Sequence, residues 1–236
     1  MRNPIIVALD VPDLDVALRL VGQLAPVVGA FKVGKELFVS AGPEIVRRIR
    51  ATGAAVFLDL KFHDIPNTVA RAVNAAVRLD VQMLTVHTSG GRAMLEAAEK
   101  SAQESAAQMG HNAPLVLGVT VLTSLDSNEL AEVGVGSDVG RQVERLAALA
   151  VKAGLRGLVC SPLEIAALRQ IVPSEIQLVT PGIRAADAKA DDQKRTMSAP
   201  EAIAAGASWL VVGRPICAAP DPREAAERML ASLRAA

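Results

Sequence analysis

A chain of 236 residues, 51% of them apolar, has ample material for one large core. Its 25 basic residues balance its 25 acidic ones, and it has no Tyr, four Phe and one Trp. That composition offers nucleic acid neither a basic footprint nor stacking platforms, and no apolar run reaches the roughly 18 residues of a membrane span.

The N-terminal MRNPIIVALD reads as a first strand, because Asp10 ends the apolar run too early for a leader peptide. Short apolar runs then recur: IIVAL (5–9), AFKVG (30–34), AVFLDL (55–60), QMLTVH (82–87), LVLGVT (115–120), GLVC (157–160), IQLVT (176–180) and WLVVG (209–213). Between and after them lie amphipathic stretches with helical spacing: 13–24, 43–50, 68–79, 92–108, 139–153, 163–171, 200–205 and 223–233. Strands alternating with helices call for a parallel sheet with crossover helices. Eight repeats in this length predict an α/β protein with one closed (β/α)8 TIM barrel spanning 1–236 as a single domain. An open doubly wound sheet would need a Gly-rich turn after the first strand, and Leu9-Asp10-Val11-Pro12 is not one. The polar stretch 184–198 is long for a barrel loop and is a candidate lid. Cys160 and Cys217 are far apart and without CxxC spacing, as expected of buried thiols in a reduced, cytoplasmic compartment.

Strand alternation assigns faces. Val56, Leu58 and Leu60 share one face of the third strand and should meet the helices, so Asp59 and Lys61 point to the barrel axis. Lys32 lies opposite Phe31 and Val33, and Asp10 opposite Val7 and Leu9. One charge at a strand end is commonly just solvated. Four on one rim, at the C-terminal mouth where barrel enzymes work, point to a site. The loops after the seventh and eighth strands, TPGIR (180–184) and VVGRP (211–215), each pair a Gly with an Arg, which suits phosphate. The bland alternative is two turns with two solvated arginines.

DLKFHDIPNT (59–68), the ALD of the first strand, FKVG (31–34), VTVLTS (119–124), PGIR (181–184) and VGRPI (212–216) together resemble the orotidine 5'-phosphate decarboxylase family, in order over nearly the whole chain. The resemblance implies loss of CO2 from orotidine 5'-monophosphate (OMP) to give UMP, the last step of de novo pyrimidine nucleotide synthesis. It implies no metal or organic cofactor, a homodimer with sites near the interface, and no nucleic acid or membrane partner. By the same resemblance Lys61 is the proton donor to C6, Asp59 lies where the substrate carboxylate comes, and Asp10 and Lys32 hold ribose hydroxyls. Asp64 and Thr68 come from the other subunit. Thr123 meets the pyrimidine edge, Gln193, Gly213 and Arg214 grip the phosphate, and Arg184 contacts the ligand.

The chemistry asks for such residues. Losing CO2 from C6 leaves an electron pair in an sp2 orbital that the ring cannot delocalise, so the protein must stabilise it electrostatically and protonate it. Burial disfavours a charged ammonium, whereas neighbouring carboxylates favour it. An alternating Lys32-Asp59-Lys61-Asp64 array keeps Lys61 charged. His63 lies inside the motif without an evident task, His87 ends the fourth strand facing inward, and His111 belongs to the surface. Asp126 and Ser124 suit loop caps, and Met83 and Met94 the core. Glu36 raises the alternative of a metal-dependent sugar-phosphate decarboxylase or aldolase on the same barrel, which Lys32 opposes by repelling a divalent cation. A non-catalytic sensor of phosphorylated ligands is the remaining alternative.

Overall fold

The computed structural model describes residues 3–184 and 196–234. Eight parallel strands close into a barrel in sequence order: β1 (Ile5–Ala8), β2 (Ala30–Val33), β3 (Val56–Phe62), β4 (Met83–His87), β5 (Leu115–Val119), β6 (Gly157–Val159), β7 (Gln177–Thr180) and β8 (Trp209–Val212). β1 pairs with β8 through Ile5 opposite Leu210 and with β2 through Val7 opposite Phe31, so the sheet has no edge.

Helices surround it: α1 (Leu14–Leu24), α2 (Lys35–Ala41), α3 (Glu44–Ala51), α4 (Pro66–Val77), α5 (Arg92–Met109), α6 (Ser127–Glu132), α7 (Val139–Lys152), α8 (Ile165–Ile171), α9 (Ala199–Ala204), α10 (Arg214–Cys217) and α11 (Pro222–Ser232). Their starts are written locally. Asp13, Asp138 and Asp221 accept backbone N–H bonds at the N-termini of α1, α7 and α11, satisfying donors that a helix start leaves open. Pro66 opens α4 at a position where its missing N–H costs nothing. Asp126 caps α6 reciprocally with Glu129.

Two apolar layers follow from strand alternation. Ile5, Val7 and Leu9 face outward against the helices, with α3 contributing the fully buried Ile45, Val46 and Ile49. Each such side chain contributes about 1.5–3 kcal/mol. Ile6, Ala8, Phe57, Met83, Leu117, Val179 and Trp209 fill the barrel interior. At the N-terminal end the chain crosses itself closely at Gly29, where a Cβ would fall 2.2 Å from the Asn3 carbonyl oxygen. Arg169 fastens the same end, donating to the carbonyls of Gly206 and Ile176.

The predicted strands and long helices are present with ends shifted by a residue or two. Two differences are structural. Residues 35–41 and 127–132 form helices that the apolar spacing does not announce, because each buries one hydrophobic side chain, Leu37 and Leu130. And β3 is not a regular strand. Leu58 lies opposite Leu84 and Phe62 opposite Val86, so four steps of β3 run against two of β4.

Candidate active site

The irregularity in β3 sits where the charges are. Lys61 adopts φ 54, a left-handed conformation that costs a non-glycine residue about 1–2 kcal/mol. Simple alternation predicts the correct face for Lys61, but the bulge is what aims it. The Lys61 Nζ donates to both oxygens of Asp59, at 2.8 and 2.9 Å. The Lys32 ammonium lies 3.8 Å from Asp59 Oδ2 and donates to Asp10 Oδ1 at 2.9 Å. The four predicted charges therefore form a continuous chain, Asp10–Lys32–Asp59–Lys61, at the C-terminal mouth. Gly34 makes room for it, since a Cβ there would lie 3.1 Å from the Lys32 Nζ.

Lys32 and Asp59 are mostly withdrawn from water, with side chains 11% and 12% exposed, whereas Asp10 is 62% exposed. Burial pushes the Asp59 carboxyl up. Lys32, Lys61 and hydrogen bonds from Lys61 and Thr85 outweigh it and hold the group below its ordinary 3.8. Asp59 is thus a fixed carboxylate between two ammonium groups.

These residues line a cavity of about 500 Å³. Thr123, Arg184, Gly213 and Arg214, predicted as ligand contacts, line it too. The PGIR turn is made by Gly182 at φ 82. Backbone bonds from Arg184 to Met197 and from Met197 to Gly182 bring together the two ends of the candidate lid. Gln193, placed on that lid by its resemblance, lies outside the described residues. Apolar walls come from Val119, Val159 and Pro181. A second cavity of about 330 Å³ shares Asp10, Lys32, Asp59 and Lys61 and adds Lys35, Glu36 and Leu37.

Asp64 and Thr68 stand apart. Both are exposed, at the entry to α4, and neither lines the cavity of its own chain. The Asp64 Oδ1 accepts the Ile65 N–H at 2.6 Å. Glu36 is exposed beside the second cavity, and among the described residues no group of three His, Cys, Asp or Glu side chains is placed to hold a metal. The inward position of β2 is taken by Lys32, a cation, which suits an anionic partner rather than a divalent ion.

None of the three histidines lines either cavity. The rings of His63 and His87 meet at a tilt of 42° with centroids 5.4 Å apart, and burial followed by His63 and Lys61 keeps His87 below its ordinary 6.5. His111 approaches Asp80 at 3.8 Å on the opposite end of the barrel. Cys160 borders the main cavity, but burial pushes its thiol up to about 12, which removes it as a nucleophile. Thr85 was not singled out in sequence. The signal was there: Met83, Thr85 and His87 share the inward face of β4, and a wholly buried hydroxyl on that face needs a partner.

Three comparisons with known proteins agree with this geometry. A sequence model described as "Orotidine 5'-phosphate decarboxylase / HUMPS family" matches residues 3–229. The orotidine 5'-phosphate decarboxylase of Moorella thermoacetica is 53% identical over 233 residues, 98% of this chain and 92% of its own. That of Opitutus terrae is 52% identical over 234 residues, covering 99% of this chain and 100% of its own. Among solved structures, orotidine 5'-phosphate decarboxylase from Lactobacillus acidophilus superposes with a TM-score of 0.88 at 36% identity, over 98% of this chain and 99% of that one.

Proposed function

The chain belongs to the orotidine 5'-phosphate decarboxylase / HUMPS family, and from that premise we infer how it converts OMP to UMP. The observation that carries the reading is the Lys61 ammonium, chelated by Asp59 in a cavity that also presents Arg184 and Arg214. The phosphate docks against Arg184, Gly213 and Arg214, where a backbone turn and planar guanidinium donors match its oxygens. By the family resemblance Gln193 is a further phosphate contact. Asp10 and Lys32 take the ribose hydroxyls and Thr123 the pyrimidine edge. C6 then faces Lys61.

The C6–carboxylate bond breaks, CO2 leaves, and its electron pair stays on C6. The Lys61 ammonium stabilises that pair as it develops and transfers a proton to it, giving UMP and a neutral amine that regains its proton from water. Asp59 keeps Lys61 charged and aimed in the ground state. Its own negative charge also lies against the departing carboxylate, so phosphate binding must hold the substrate there, remote binding energy used at the reacting carbon. Neither a metal nor an organic cofactor has a part in this scheme, since the countercharge and the proton both come from Lys61.

The proposed unit is one catalytic domain over residues 1–236, acting in the cytoplasm as a homodimer. In that dimer Asp64 and Thr68 serve the partner's cavity, completing the Lys32-Asp59-Lys61-Asp64 array. Their exposure at the start of α4, away from their own cavity, supports this. In the test, purified protein is given OMP and the ultraviolet absorbance is followed, with and without EDTA. Turnover undiminished by the chelator is expected. Strict dependence on Mg2+, or no turnover of OMP, overturns the reading.

A further inference from the structure

Thr85 is fully buried on β4 and does not line the cavity. Its Oγ1 makes two directed bonds. It accepts the backbone N–H of Lys61 at 2.9 Å and donates to Asp59 Oδ1 at 3.0 Å. The first of these answers a local problem. Where four steps of β3 run against two of β4, a regular ladder is lost, and the amide of Lys61 at φ 54 needs a buried acceptor. The threonine hydroxyl supplies it. The second bond follows from the first. With an oxygen lone pair given to the Lys61 amide, the single hydroxyl proton is aimed at Asp59. Asp59 Oδ1 then receives Thr85 and Lys61 together, which leaves Oδ2 toward Lys61 and Lys32.

We propose that Thr85 is a positioning residue for the decarboxylation: one hydroxyl locks the bulge that aims Lys61 and the rotamer of the carboxylate that holds it. The inference rests on the reading of Lys61 as proton donor. A β-branched side chain suits the task because its χ1 is stiff, so the oxygen is held in place by the strand itself. Serine keeps the hydroxyl, and valine keeps the shape without it. Thr85 does not itself line the cavity and acts through Asp59 and Lys61, so its loss should alter the reacting geometry more than the binding of substrate.

In the experiment, kcat and KM for OMP are measured for Thr85→Val, Thr85→Ala and Thr85→Ser, with melting temperatures. Lys61→Ala is measured beside them. A misaimed proton donor should lower kcat about 10–100-fold in the Val and Ala variants, with KM within about threefold of wild type. Thr85→Ser should stay within about threefold in both constants, as the geometry of one hydroxyl is what matters. The alanine variant covers the case in which valine prevents folding, since it removes the hydroxyl without pressing a second methyl group against the Lys61 amide. A folded Val or Ala variant with kcat within about twofold of wild type overturns the inference. So does a rise in KM with kcat unchanged, or a serine variant as impaired as valine. If Lys61→Ala itself keeps its rate, the reading of the site fails. If Lys61→Ala is inactive while the Thr85 variants are normal, the role of Thr85 fails by itself.

Discussion

The position of Asp64 makes a quantitative test of the shared site. Asp64→Ala removes an exposed carboxylate whose bond within its own chain is to the next amide, so the barrel should fold. Lys61→Ala leaves the buried Asp59 with a second ammonium, Lys32, at 3.8 Å, so that variant should fold as well. Each variant should be inactive by itself. Removing one preorganised charge from the reacting centre costs about 2.7–4 kcal/mol of transition-state stabilisation, which leaves about 1% of the rate or less. When the two proteins are mixed and their subunits exchange at random, about half the dimers are mixed. In a mixed dimer one cavity has intact Lys61 and receives intact Asp64 from its neighbour, while the other lacks both. One native site in two, in half the dimers, restores about a quarter of wild-type activity. The assay is OMP turnover against time after mixing, with exchange followed by mass-tagged subunits. If Asp64 served its own chain, every cavity would keep one lesion. No recovery, with exchange confirmed, would refute the arrangement.

Arg214→Ala should weaken OMP turnover by about 2–5 kcal/mol in kcat/KM and leave turnover of orotidine, which lacks the phosphate, nearly unchanged. Equal losses on both substrates place Arg214 elsewhere. The Asp59 carboxyl is held below its ordinary 3.8, so it contributes stability above that pH and loses it as pH falls through the lower folded-state value. Melting temperature should therefore drop steeply in acid, and Asp59→Asn should flatten that limb. His87 is held below 6.5, so the unfolded chain takes its proton first and stability declines as pH falls from 6.5. His87→Gln should remove part of the slope just below that pH, and an unchanged slope would assign it to other groups.

The fold is legible because barrel strands are short apolar runs at regular intervals, and the mouth is legible because charges interrupt them. Lys32, Asp59 and Lys61 stand out against strands that should otherwise be wholly aliphatic. What stays hidden is whatever leaves no periodic trace. α2 and α6 bury Leu37 and Leu130 respectively, too little for a helical stripe. For α6 the trace lay in Asp126 and Glu129, three apart, as a reciprocal cap. The β3 bulge depends on register against β4, a property of two segments together, so period-two counting passes over it. The inward face of Thr85 is legible, but its partners are hidden for the same reason: they lie 24 and 26 residues away, on the neighbouring strand.

The pairing of β1 with β8 has a consequence for biosynthesis. The charges proposed to face C6 come from the first three strands and their ends, and the proposed phosphate contacts from the loops after the last two. These groups are remote in the chain and become neighbours when β8 docks between β7 and β1. A nascent polypeptide that has exposed β1 to β7 would carry all four charged residues of the rim and still lack Arg214. Under the proposed scheme catalysis would thus wait for the docking of β8 and for the pairing of two finished subunits, so ribosome-stalled chains that end before residue 214 would be silent.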